Sequence, residues 1–199
     1  METIMKRVLI TASLLLFFAV SSFAQAKFAL TYSIGFPTGE TSDYFSSTSW
    51  RGVNIDYHYM LEDNFAVGFS AGWQVFNDNR GFVTETSGTE TISGYRYNYL
   101  NSYPVLATGS YFFPVSGALT PFASLGIGLT YNELQEDIGL FRTTSNGWPF
   151  TVRPEIGLDY EIGYNVELRT SFRYNYVASG SDLPSLPSYA INVGFVWSR

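Results

Sequence analysis

Cysteine is absent from this chain of 199 residues. That excludes disulfides and a lipid-anchored thiol. Histidine occurs once, as His58, so a His/Cys-type metal site has too few ligands. No metal and no cofactor is therefore expected. Charge is scarce as well, with Asp, Glu, Lys and Arg at 14% of the residues against about 25% in ordinary soluble domains. The balance is acidic, at −6, and no basic cluster occurs, which argues against nucleic acid as a partner. Gly126-x-Gly128 lacks the third glycine and the strand-to-helix setting of a nucleotide fingerprint; it reads as room for bulky neighbours.

Long apolar runs are missing too, apart from one near the start. Residues 1–26 carry Lys6-Arg7, an apolar run from Val8 to Val20 and small residues ending at Ala24-Gln25-Ala26. That is the layout of a secretory signal peptide cleaved after Ala24 or Ala26, and its run is too short to anchor a helix in a bilayer. Residues 27–199 then form one domain with no visible linker. A chain of this composition can cross a membrane only as a closed barrel.

What the sequence does contain is alternation of period two, the mark of a strand with two unlike faces. It is plainest over residues 148–176. Trp148, Phe150, Val152, Ile156, Leu158, Tyr160 and Ile162 alternate with Thr151, Arg153, Glu155, Gly157, Asp159 and Glu161. After Gly163-Tyr164-Asn165, read as a three-residue turn, Leu168, Phe172, Tyr174 and Tyr176 face away from Glu167, Arg169, Ser171 and Arg173. Further segments lie at 28–36, 50–59, 65–75, 95–113, 120–131 and 189–197, making eight strands. Pro104 predicts a bulge or a missing ladder bond. Residues 77–94 and 132–147 read as long polar loops. Long connections alternate with short ones, as in barrels with short periplasmic turns and long extracellular loops.

The aromatic residues gather on the apolar face of each segment. An eight-stranded barrel has an interior just wide enough for side chains. So many rings cannot fit there at the density of a protein core, whereas the small and charged residues can. The rings must point outward, into hydrocarbon; a soluble lipocalin-like barrel with an apolar pocket fails this volume test. Tyr57, Tyr59, Trp73, Tyr95, Tyr97, Trp148, Tyr160, Tyr176, Tyr189 and Trp197 fall toward strand ends, where interfacial girdles form. The fold expected is all-β: an eight-stranded antiparallel up-and-down transmembrane β-barrel.

The stretches Asn64-Phe65-Ala66-Val67-Gly68, Tyr103-Pro104-Val105-Leu106, Pro121 to Gly128 and Arg153 to Tyr160 resemble the outer-membrane β-barrel family of Gram-negative bacteria, the OmpA/OmpX type. The end, Asn192-x-Gly194-x-x-Trp197-x-Arg199, is similar to that family's assembly signal, except that Arg199 replaces a final aromatic. The resemblance implies the cell outer membrane, contact with its lipid and lipopolysaccharide, and recognition of the last strand by the assembly machinery. It leaves any extracellular partner unnamed, because family members range from envelope-stabilising and adhesive proteins to a few enzymes.

The inward charges are Asp56, Arg96, Arg153, Glu155, Asp159, Glu167, Arg169 and Arg173. Their signs balance, which suits a plug of ion pairs better than a selective pore. The hairpin register predicts Asp159 opposite Arg169 and Glu155 opposite Arg173, because the alternative sets Asp159 against Glu167. His58 reads as an interior hydrogen-bonded residue on the periplasmic side, away from outer-leaflet substrate. The expected function is a non-enzymatic, plugged barrel with a structural or surface-interaction role through its long loops, Trp50 and Arg51 included. A narrow channel or a lipid A-modifying enzyme stands as the alternative.

Overall fold

The computed structural model describes residues 26–87, 90–180 and 183–198. The expected signal peptide lies outside them except for Ala26, and so does Arg199. The strands are β1 (Ala26–Pro37), β2 (Arg51–Met60), β3 (Phe65–Ser87), β4 (Glu90–Phe112), β5 (Leu119–Ile138), β6 (Phe141–Gly147), β7 (Phe150–Gly163), β8 (Val166–Val177) and β9 (Ser188–Ser198). One short helix, α1 (Thr41–Tyr44), interrupts the first connection. Each strand pairs antiparallel with its neighbour, β1 pairs with β9, and β4 pairs with β5, so the sheet closes on itself. Closure leaves no edge within the wall. Because β6 and β7 follow one another along the same flank of β5, nine strands make eight staves.

Alternation decides which side chain meets which solvent. On β2, Val53 and Ile55 are exposed while Asn54, Asp56 and His58 are buried. On β9, Tyr189, Ile191, Val193, Phe195 and Trp197 face outward around buried Ala190, Asn192 and Val196. The outer wall is thus apolar and aromatic, and the lumen is polar. Gly128 serves close approach of the wall: a Cβ there would stand 2.3 Å from the Val105 carbonyl oxygen, with Leu106 filling the space beyond.

The two stretches read as polar loops are strands. β3 and β4 continue their ladder to Ser87↔Glu90, and β5 folds back on β6 through Ile138↔Phe141. Threonine, being β-branched, favours extended backbone, and Gly139 (φ 60) supplies the left-handed turn at the β5–β6 tip. These four strands project as a sheet beyond the barrel proper. Two smaller expectations also change. Gly163 pairs with Val166, so the β7–β8 tip is Tyr164-Asn165, with Asn165 at φ 60 and a register shift just before it. β7 starts at Phe150, after Trp148-Pro149. At Pro104 the β3–β4 ladder lacks pairs between Ala71↔Val105 and Gln74↔Ser102 without losing register, the missing-bond form of the expectation, and the register shift of this ladder sits at Asn79/Gly81.

Two connections fold over the mouth of the barrel. Phe45, just after α1, and Leu183 and Leu186, between β8 and β9, pack onto Phe76, Leu100, Leu134 and Val177 as one buried apolar cluster. The first connection is held by Ser46, whose backbone N–H and Oγ donate to the Asp78 carboxylate at 2.7 and 2.8 Å. Asn98 adds a bond from its Nδ2 to the Tyr44 carbonyl at 2.8 Å. Ser185 N–H donates to Glu40 Oε2 at 3.1 Å, joining the two connections.

Asp78 lies beyond the last β2–β3 pair, Arg51↔Val75. Burial pushes its carboxyl up, but the Ser46 bonds and the Arg80 guanidinium outweigh that and hold it below the usual carboxylate range. A carboxyl lowered on folding contributes above its unfolded value of about 4 and is lost as pH falls through the folded one. Replacing Asp78→Asn imposes the same loss at neutral pH. In a chain otherwise free of cysteine, it is expected to raise the maleimide-labelling rate of Leu183→Cys several-fold. An unchanged rate means that the lid is held without Asp78.

Candidate functional site

Charged groups cluster where β2, β7 and β8 face one another across the lumen. Period-two patterning brings Asp56 from β2, Arg153, Glu155 and Asp159 from β7, and Arg169 and Arg173 from β8 to the inner face, all buried. The β7–β8 register pairs Asp159 with Arg169 and Glu155 with Arg173. Arg169 grips Asp159 in a two-pronged contact, Nε to Oδ1 and Nη2 to Oδ2, both 2.7 Å. Such a fork is the strong form of the ion pair. Arg173 reaches across the lumen, with Nη2 2.6 Å from Asp56 Oδ2 and Nε 2.8 Å from Glu155 Oε2. Arg153 donates from Nε to Asn175 Oδ1 at 2.8 Å and from Nη1 to Ser70 Oγ at 2.9 Å.

Two of the eight charges read as one network lie apart from this cluster. Arg96 pairs with Glu136 at 2.6 Å, on a stretch of β4 that pairs with Gly81 and Ile138 in the projecting sheet. Sequence reading assigned Glu136 to a loop, so this pair was not visible. Glu167 takes Lys27 at 2.9 Å near the short-turn end. Lys27 was missed because it stands one residue before the first alternating segment.

His58 belongs to the lumen chemistry more closely than its sequence setting suggested. Arg169 Nη1 lies 3.2 Å from His58 Nε2, and Ser110 Oγ lies 3.3 Å from Nδ1. A guanidinium has only donors, so Nε2 must accept and Nδ1 carries the hydrogen. The imidazole therefore donates toward Ser110, which in turn donates to Ser124 Oγ at 2.9 Å. A serine activated for attack needs the opposite polarity, with the imidazole accepting its proton. The chain Arg169–His58–Ser110–Ser124 is a strut tying β8, β2, β4 and β5.

Below the strut, Phe112 and Phe122 pack with Ala66 into a floor. Arg169 stacks over Phe122 at 4.3 Å and Lys27 over Phe112 at 4.8 Å. From the short-turn end upward the lumen thus holds aromatic rings, ion pairs, a polar layer and the apolar lid.

The strand-end aromatics separate into two sets. Trp73, Trp148, Tyr160, Tyr176, Tyr189 and Trp197 stand exposed on the barrel wall, and Tyr57 and Tyr59 are half-buried there. Tyr95 and Tyr97 are exposed too, but they pair with Phe82 and Asn79 in the projecting sheet, past Tyr103. They sit above the wall and do not join its ring.

Comparison with known proteins follows the same lines. The family model described as outer membrane protein beta-barrel domain matches residues 10–198. No curated protein matches the chain. Among solved structures, Neisserial surface protein A is similar at 15% identity and a TM-score of 0.55, over 87% of this chain and 95% of that one. OprG, an outer membrane protein of Pseudomonas aeruginosa, is similar at 13% identity and 0.55, over 88% and 96%. Outer membrane protein W of E. coli is similar at 15% and 0.52, over 88% and 98%. At such identities the likeness is one of fold.

Removing one member of a buried pair leaves a bare charge, which typically costs about 3–5 kcal/mol. Arg169→Met is therefore expected to lower sharply the temperature at which the unboiled protein shifts to its unfolded position on a gel. The double variant Asp159→Leu/Arg169→Met recovers most of that loss. If the double is no better than the single, the pair is not what Arg169 contributes.

Proposed function

Since the chain belongs to the outer membrane β-barrel family and resides in the outer membrane, we propose that it is a closed, non-enzymatic barrel whose projecting sheet meets partners outside the cell. The observation that carries this reading is the obstruction of the lumen at three heights, by Phe112 and Phe122, by the Asp56–Arg173–Glu155 and Asp159–Arg169 pairs, and by the lid on Phe45. Conduction requires a continuous wet path with weak sites along it, and this stack has apolar layers at both ends. The polarity of the His58–Ser110 contact speaks against a serine hydrolase, and both groups are buried from lipid and water.

Binding capacity is then a property of the exterior. Phe82, Tyr95 and Phe141 are exposed on the projecting strands, where the backbone is held by ladder bonds, and Leu140 is exposed at the β5–β6 turn. Trp50, just before β2, is exposed as well. Rigid aromatic residues give contact area at small entropic cost. On the wall, the rings from Trp73 to Trp197 serve as lipid-interface girdles. Lipopolysaccharide is the neighbour in the outer leaflet, and β9, paired on both sides, is the strand presented to the assembly machinery.

Three measurements bear on this. In planar bilayers the purified protein is expected to give no steady open level, and a reproducible one overturns the closed lumen. Lipid A from cells with and without the protein is expected to have the same mass, and altered acylation overturns the non-enzymatic reading. Replacing the β3–β4 projection by a short turn is expected to leave the gel shift intact and to reduce attachment of cells to surfaces; full attachment removes that hairpin from the interaction surface.

A further inference from the structure

Between the ion pairs and the lid lies a cavity of about 40 Å³. By that measure one water needs about 10–15 Å³, so there is room for a small ion with little company. Its polar lining includes Arg153, Arg173, Asn54 and Asn175, together with hydroxyl and amide groups from the neighbouring strands, with Phe76, Leu100, Val177 and Leu186 among its apolar residues. No carboxylate lines it among the described residues. Both arginines are buried, at 4% and 1% exposure, and they are diagonal neighbours across the β7–β8 pair, on the row next to Glu155↔Arg173.

The charge around them is unevenly shared. Asp56 and Glu155 both sit on Arg173, at its Nη2 and Nε. Arg173 Nη1 is left buried with no hydrogen-bond partner. Among the described residues, the hydrogen bonds of Arg153 go to the neutral side chains of Asn175 and Ser70. Two guanidiniums therefore line one small space whose described walls carry no carboxylate, beneath an apolar roof. Water would satisfy the hydrogen bonds but would gain little from the two guanidiniums at the cavity wall in a medium of low dielectric. An acceptor that also carries negative charge gains from both.

We propose that this cavity is a binding site for a small inorganic monoanion, which in an ordinary salt medium is chloride. The site is independent of the exterior role proposed above. It lies beneath Phe45, Leu183 and Leu186, so exchange of the ion requires the lid to open, and bound ion ties the upper ends of β7 and β8 together.

The test uses the full-length barrel purified in detergent, with bromide as the probe. Crystals grown in sodium bromide are expected to show an anomalous peak within hydrogen-bonding distance of Arg153 and Arg173. The gel-shift temperature is expected to rise saturably when gluconate is exchanged for chloride at constant ionic strength. Arg153→Gln is expected to weaken the half-saturating chloride concentration about tenfold, the loss of one charge-assisted hydrogen bond. If that variant fails to fold, Leu186→Ala keeps both arginines and is expected to hasten bromide-for-chloride exchange by loosening the roof. Bromide in the cavity establishes the site even where the temperature does not move. Water alone there in bromide-grown crystals overturns it, and a salt effect without cavity bromide assigns that effect to surface charge and overturns it equally.

Discussion

The constraint on which everything else depends is that a backbone in hydrocarbon has no water to bond with. Every N–H and C=O of the wall must find a partner in the wall, and only a sheet that closes does this without an edge. Pairing of β1 with β9 and of β4 with β5 meets the requirement, and period-two geometry then sorts the side chains without further choice. Rings and aliphatics face out, and polar and charged groups face in. The lumen that results is narrow, so its charges are desolvated and have to pair. Arg169 with Asp159, and Arg173 with Asp56 and Glu155, follow from closure as much as from their own chemistry.

Pairing in so small a space also makes the lumen stiff. The contacts join strands far apart in sequence: Arg173 to Asp56 across 117 positions, and Arg169 to His58 across 111. Breaking one exposes a charge that nothing nearby can neutralise. A lumen organised in this way resists water and ions, and the lid adds an apolar layer drawn from two connections. What remains free to vary is the sheet that rises above the wall. Its strands obey the same ladder rules but not the same solvent, which is why threonine, serine and charge are tolerated there beside Phe82 and Tyr95.

The legible parts were those governed by period two. The alternation over residues 148–176, with the crowding argument about rings, was enough to orient the barrel and to place Asp159 opposite Arg169. What failed did so where the pattern is weak. Residues 77–94 and 132–147 carry polar side chains on both faces, and a strand wet on both faces looks like a loop in sequence, so the projecting sheet and the Arg96–Glu136 pair went unseen. Lys27 was passed over at a segment boundary. The lid could not be anticipated, because Phe45, Leu183 and Leu186 lie in irregular connections whose path no periodicity records.

The sequence by itself determined the class of structure and the face each strand turns to lipid, while the outer-membrane setting came from its resemblance to a known family. Class and face depend on the composition and spacing of neighbours along the chain, which closure only confirms. Tertiary structure alone decided the direction of the His58–Ser110 hydrogen bond, the second carboxylate, Asp56, on Arg173, and the arginine-lined cavity beneath the lid. The first two need groups from strands more than a hundred positions apart to meet at hydrogen-bonding distance, the cavity needs Asn54 and Arg173 in one lining, and such meetings are set by the curvature and shear of the closed wall.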